Sequence, residues 1–102
     1  MAELDKVLVE LNTNFRKVIE EYGVEAKRRV EIRTPVGETG KLQRGWGFTK
    51  KKTSIEIYNT QDYASYVEYG TSKMAPRGML RATLLEHDQI LDVAAQKAGI
   101  KK

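Results

Sequence analysis

At 102 residues, with 40% hydrophobic and 31% charged side chains, the chain has the size and composition of one soluble globular domain. That length supports a single core and leaves little for a deep private active site. Apolar runs of only a few residues exclude a membrane-spanning helix, and the lack of cysteine excludes disulfides, a thiol nucleophile and thiolate metal sites.

Met1-Ala2-Glu3-Leu4-Asp5 is acidic and has neither the basic nor the apolar region of a signal peptide, so a cytoplasmic product is expected. Leu4, Leu8, Leu11, Phe15, Val18 and Tyr22 then alternate spacings of four and three, and Val7 and Ile19 widen the stripe. Ala26 and Val30 resume it beyond Gly23. The period predicts one long helix over residues 3–32, which Gly23 is placed to bend or loosen. Its apolar side would pack on a sheet or on a neighbouring subunit. Pro35 disfavours helix at Thr34 and opens a turn-rich loop through Gly40. Gly37-Glu38-Thr39-Gly40-Lys41 is not a phosphate loop. Two residues separate its glycines where that motif has four, and Leu42 stands where Ser or Thr would hold magnesium.

Residues 42–58 read as a β-hairpin. In its first strand Leu42, Arg44, Trp46 and Phe48 share one face, with Gly45 and Gly47 marking a bulge or a close backbone approach. In its second, Ile55 and Ile57 point inward. Lys50, Lys51 and Lys52 form the tip, either as gatekeepers against edge pairing or as contacts to phosphate or an acidic partner. Residues 27–52 as a whole carry nine basic side chains against Glu31 and Glu38, a net +7, which leaves −3 on the rest of the chain. A solvated face and a surface for nucleic acid or an acidic protein both match that distribution.

Asn59-Thr60-Gln61-Asp62 leads into a short helix over residues 63–69, where Tyr63, Tyr66 and Tyr69 recur every third position and so lie near one face. Gly70 suits a left-handed helix stop, Thr71-Ser72-Lys73 continues as a polar loop, and Pro76 suits the first turn of a last helix over residues 76–98. The seam of that helix is Leu80, Leu84, His87, Leu91, Ala94 and Ala98. Gly99 is placed to cap it, and the end at Lys101-Lys102 should fray.

No catalytic constellation emerges. His87 is the only histidine, lies on an apolar seam and has no second His or Cys with which to share a metal. The carboxylates are scattered, with Glu86 and Asp88 on different helix faces and Glu56 alone on its strand. Ser54, Ser65 and Ser72 have no nucleophile-elbow motif around them. Arg44, Trp46, Phe48 and Lys50 have the composition of a single-strand stacking platform, but Trp46 and Phe48 are among the few large residues available for the core, and core burial is the preferred reading.

Two motifs together carry a family resemblance. The first is Thr34-Pro35-Val36-Gly37-Glu38-Thr39-Gly40-Lys41-Leu42-Gln43-Arg44-Gly45-Trp46; the second is Tyr63-Ala64-Ser65-Tyr66-Val67-Glu68-Tyr69-Gly70-Thr71-Ser72-Lys73, running on through Pro76 and Arg77 to Leu80 and Ala82. They resemble the tail-completion, or head–tail joining, proteins of long-tailed double-stranded DNA phages and prophages. Members show P-x-x-T-G-x-L-x-x-S after a first helix, then Y-A-x-x-V-E-x-G-T with a basic residue, then P-F-L-x-x-A. Here Gly45 stands in place of the small hydroxyl residue, and Arg77-Gly78-Met79-Leu80 in place of Pro-Phe-Leu.

The resemblance implies an α+β fold, with a long N-terminal helix and a C-terminal helix packed on a small, mainly antiparallel β-sheet and a short helix between. It implies a non-enzymatic virion protein without cofactor or metal, assembled as a homo-oligomeric, six-fold ring. That ring would sit at the neck between the connector or adaptor and the tail-tube or tail-terminator proteins, with no membrane contact. On this reading Tyr63, Tyr66, Glu68, Tyr69, Gly70, Thr71, Lys73, Pro76 and Arg77 are the interface candidates. Arg44, Lys50, Lys51 and Lys52 are the candidates for contact with DNA in the lumen. The rival readings are a small basic DNA-binding accessory domain and, further off, a small nuclease.

Overall fold

The computed structural model describes residues 6–37, 39–73 and 75–100. In chain order the elements are β1 (Val7–Glu10), α1 (Arg16–Arg33), α2 (Lys41–Arg44), β2 (Trp46–Lys50), β3 (Ser54–Asn59), α3 (Ala64–Tyr69), α4 (Met79–Leu84) and α5 (His87–Lys97). The strands form one antiparallel sheet in the order β1-β3-β2, so the fold is α+β. Helix α1 packs against the sheet and also against α4 and α5, which makes it the element that both layers share.

The N-terminal stripe is the first correction. The helix expected over residues 3–32 begins only at Arg16, and Val7–Glu10 is an edge strand with Val7 opposite Ile57 and Val9 opposite Ile55. Residues 3–5 of that expected helix lie outside the described residues, as does the expected fraying of Lys101 and Lys102. β-Branched Val7 and Val9 alternate with Leu8 and Glu10, a two-residue period that β3 satisfies. Asn12 then turns the chain with φ +56°, a conformation Asn tolerates better than most residues. Its N–H donates to the Glu10 carboxylate at 3.0 Å, and the Phe15 N–H donates to the Thr13 hydroxyl at 3.2 Å. Leu8 and Phe15, both on the supposed seam, are 60% and 62% exposed.

From Arg16 onward the helical period holds, with Val18, Ile19, Tyr22, Ala26 and Val30 buried. Gly23 leaves α1 uninterrupted. A Cβ there would lie 2.4 Å from the Phe48 ring and 2.5 Å from Ile55 Cδ1, so its hydrogen lets the helix approach the sheet. The helix stops at Thr34, whose hydroxyl donates to Val30 O at 2.6 Å and accepts from Trp46 Nε1 at 2.8 Å. Trp46 is core, as its size suggested.

Leu42, Gln43 and Arg44, expected in the first strand of the hairpin, form α2 instead. Gly40 at φ +69° starts this turn, and the Arg44 N–H donates to Gly40 O at 3.1 Å. The Asn59 side chain donates to Leu42 O at 2.8 Å, and a Cβ on Gly45 would fall 2.5 Å from Asn59 Oδ1, so glycine makes room for that amide.

The third correction is the last helix. In place of one helix over 76–98 there are two, α4 and α5, broken at Leu85-Glu86. Gly78 at φ +61° precedes α4, so Pro76 stands in the loop before it. The break turns the Glu86 carboxylate onto α1, where it accepts from Arg29 at 3.0 Å and Arg33 at 2.7 Å. Buried Glu25 completes this junction by accepting from Arg28 and Arg29, each at 2.7 Å. Chiefly the Arg28 hydrogen bond, with help from Arg29 and against the effect of burial, holds the Glu25 carboxyl down at about 2. Gly99 at φ +83° closes α5, with Ile100 N–H donating to Ala95 O at 2.9 Å and Gly99 N–H to Gln96 O at 3.0 Å.

Candidate interaction surfaces

The α3 face and its following loop are built from the inside out. Ala64, Ser65 and Glu68 form the buried side of α3, while Tyr63, Tyr66 and Tyr69 are 39%, 41% and 44% exposed on the other. Glu68 is fully buried. Its carboxylate accepts from the backbone N–H groups of Leu80 at 2.8 Å and Arg81 at 3.0 Å, and from Arg81 Nε at 3.3 Å. These are the donors at the start of α4 that no helical carbonyl satisfies. The Arg81 guanidinium also donates to Glu68 O at 2.8 Å and lies over the Tyr69 ring, 5.3 Å from its centroid. Glu68 was expected to reach a partner subunit. It lies in the interior instead, joining α3 to α4.

The same junction closes the loop. Gly70 at φ +81° turns the chain out of α3, and on its return Arg77 N–H donates to Val67 O at 2.9 Å and Gly78 N–H to Glu68 O at 3.1 Å. Between those pinned ends Thr71, Ser72, Lys73, Ala75, Pro76 and Arg77 are exposed. The result is a projecting basic loop with a fixed base, beside three half-exposed tyrosines.

The second surface is the hairpin tip. Lys50, Lys51 and Lys52 line an open cleft with Asn14, Arg16 and Ile19 at the start of α1. Lys50 pairs with Glu20 at 2.9 Å, and Lys51 with Glu56 at 3.4 Å, while Lys52 has no ion pair among the described residues. The Lys50 hydrogen bond keeps the Glu20 carboxyl below the usual carboxylate range. Arg44 does not join this group: it is exposed on α2 and lines a separate shallow cleft with Lys41, Gly45, Thr60 and Gln61.

His87 meets Tyr22 across α1 and α5. The Tyr22 hydroxyl and His87 Nδ1 are hydrogen-bonded at 2.7 Å, with ring centroids 5.4 Å apart. Burial, reinforced by the Asp88 charge, pushes the Tyr22 hydroxyl up to about 12. Among the described residues no cluster of three His, Cys, Asp or Glu side chains could hold a metal, and no helix is long and apolar enough to cross a membrane.

Sequence reasoning missed the capping role of Glu68 and the part played by Arg81. One signal was present, since Glu68 shares the helix face of Ala64 and Ser65, opposite the tyrosines. Its partner thirteen residues on in sequence had no local signature.

A family model described as "Bacteriophage HK97-gp10, putative tail-component" matches residues 1–70. Comparison with curated proteins and with solved structures finds no match. The matched span stops at Gly70, so the projecting loop and the two C-terminal helices lie beyond it.

Proposed function

The chain belongs to the HK97-gp10-like family of phage tail components, and from that premise we propose that it is a non-enzymatic structural protein that completes the tail or joins it to the head. In this reading it acts at the virion neck, as a ring of identical subunits between the connector and the tail tube or tail terminator. The observation that carries the reading is the α3 face. Three half-exposed tyrosines and a basic loop stand on a base fixed by Glu68 and Arg81. Aromatic side chains bury much area at little entropic cost, and preorganised loops lose little entropy on docking. Tyr63, Tyr66 and Tyr69 are the anchors; Lys73 and Arg77 orient the partner.

Electron microscopy of particles made without the gene tests this. DNA-filled heads beside finished, unattached tails support joining, tails of abnormal length redirect the reading to tail termination, and normal virions overturn it. Particle assembly unchanged by both Tyr66→Ala and Lys73→Glu would remove the α3 loop as the interface.

A second reading has one observation in its favour, the basic cleft of Arg16 and Lys50, Lys51 and Lys52. It is a DNA contact, made in the ring lumen or by a free accessory domain. Replacing the three lysines with Glu and finding DNA retention unaffected would count against it.

A further inference from the structure

The α3 loop has a counterpart on the same chain. Along α5, Leu91 and Ala95 with Ile100 beyond its end form the apolar floor of an open cleft of about 930 Å³, and Asp88 and Asp92 stand one helical turn apart on it. Gln96 Nε2 donates to Asp92 at 3.3 Å. Among the described residues no Lys or Arg lines the cleft; Lys97, the one Lys or Arg on α5, points to Glu25 at 3.8 Å. The cleft has the volume of a ligand pocket, but its polar groups do not converge as a small-molecule site requires. Its apolar floor and acidic edge are better suited to a protein segment that brings bulk and positive charge. The loop from Gly70 to Gly78 has those properties. It carries Lys73 and Arg77, no acidic residue, and Pro76 between them, with Tyr66 and Tyr69 alongside.

We infer that the α3 face and loop of one copy dock in the α5 cleft of a second copy. This rests on reading the α3 loop as a docking element and adds where it docks. Tyr66 and Pro76 cover Leu91, Ala95 and Ile100, while Lys73 and Arg77 face Asp88 and Asp92. Knob and cleft share no residue; a pair that engaged both ways at once would close as a dimer, whereas head-to-tail contact is heterologous. Head to tail, every added copy leaves one knob and one cleft free, which propagates into a closed ring or an open filament according to the rotation between copies.

Charge reversal in the full chain tests it by sedimentation velocity over a concentration series at low salt. Lys101 and Lys102 follow the cleft in sequence, so each variant is also made with both changed to Gln. One variant carries Lys73→Glu and Arg77→Glu, the other Asp88→Lys and Asp92→Lys. Each alone should weaken self-association about tenfold or more. Mixed, they should restore it, since each offers the other the opposite charge at both surfaces. That restoration also shows that both are folded. Because the chain has no cysteine, oxidation of a mixture of Ser72→Cys and Gln96→Cys chains should give a heterodimer well above either homodimer.

Self-association that ignores both reversals, an absence of cross-linked heterodimer, or a wild-type chain monomeric at concentrations on the order of 1 mM would each overturn the inference. Those results leave the tail-assembly reading standing. Normal virions from the gene deletion would instead remove that reading and leave the contact between copies intact.

Discussion

Replacing Gly23 with Ala sets two effects of opposite sign against each other. In a helix interior Ala is favoured over Gly by about 1 kcal/mol. The new methyl, however, would lie 2.4 Å from Phe48 Cδ2 and Cε2 and 2.5 Å from Ile55 Cδ1, well inside the roughly 3.5–4.0 Å of ordinary carbon contact. Ile55 is fully buried on the central strand and has nowhere to move; Phe48 is half-buried on β2 and relieves the clash only by tilting outward. Overpacking of this kind costs about 1–3 kcal/mol, and obstruction from two strands at once places it near the upper end. The expected net effect is a destabilisation of about 2 kcal/mol, a fall in Tm of about 8–16 °C for a domain of this size. Urea unfolding followed by the fluorescence of Trp46, the sole and buried tryptophan, measures it. In a Phe48→Leu background the same substitution should cost about 1 kcal/mol less, because one obstacle is shortened. Gly23→Ala at or above wild-type stability would refute the close-approach argument.

Glu68→Gln keeps one acceptor but loses the charge that serves Leu80, Arg81 and the guanidinium, so urea unfolding should show a loss of about 2–3 kcal/mol; a loss under about 0.5 would deny the carboxylate its capping role. Gly45→Ser, the change towards the family's usual residue, should destabilise by about 1–2 kcal/mol because its Cβ meets Asn59 Oδ1 at 2.5 Å, and Asn59→Ala should remove most of that penalty in a double-mutant cycle. Glu25 is held down at about 2, below its unfolded value of 4.5, so its contribution is present above about pH 4.5 and is lost as pH falls through about 2. The loss is about 2 kcal/mol once screening at the half-exposed Arg28 is allowed for. Urea midpoints from pH 5 to pH 2 should flatten in Glu25→Gln, and an equally steep fall would assign the acid sensitivity elsewhere.

The parts of this fold that periodicity revealed are those where one spacing had no competitor. Val18 to Val30 can only be a helical stripe, and Ile55 and Ile57 can only alternate. The N-terminus was ambiguous because Val7-Leu8-Val9-Glu10 satisfies both periods. The choice between them belongs to β3, which supplies Ile55 and Ile57 as cross-strand partners some fifty residues away. Arg44 was misplaced for a related reason: alternation across Leu42, Arg44 and Trp46 imitates a strand, and the left-handed Gly40 that starts a helical turn was read only as part of a loop. At the candidate interface the tyrosine spacing, Gly70 and the basic loop were legible. The depth of Glu68 was not, because a carboxylate among tyrosines suggests a surface until the backbone of α4 is seen arriving above it.

Charge counting along the chain misleads in the same way, and this bears on the DNA reading. Among the described residues, six of the nine basic side chains between Lys27 and Lys52 are in ion pairs, and most of the partners, Glu20, Glu25, Glu56 and Glu86, lie outside that segment. The field of the folded surface is therefore much weaker than +7 suggests. At the hairpin-tip cleft, Arg16 and Lys52 are the cations without an ion pair among the described residues, while Lys50 and Lys51 would have to leave Glu20 and Glu56 to meet a phosphate. With about 0.9 counterions released per phosphate neutralised, two such contacts give a slope of about −2 in log K against log salt. Binding of duplex DNA titrated from about 50 to 200 mM salt should therefore weaken only about tenfold to thirtyfold. A slope steeper than about −3 would mean that Lys50 and Lys51 do exchange their carboxylates for phosphates. Under the weak-field argument Glu20→Gln and Glu56→Gln free both lysines, so the double change should raise the affinity and steepen the slope towards about −3.6.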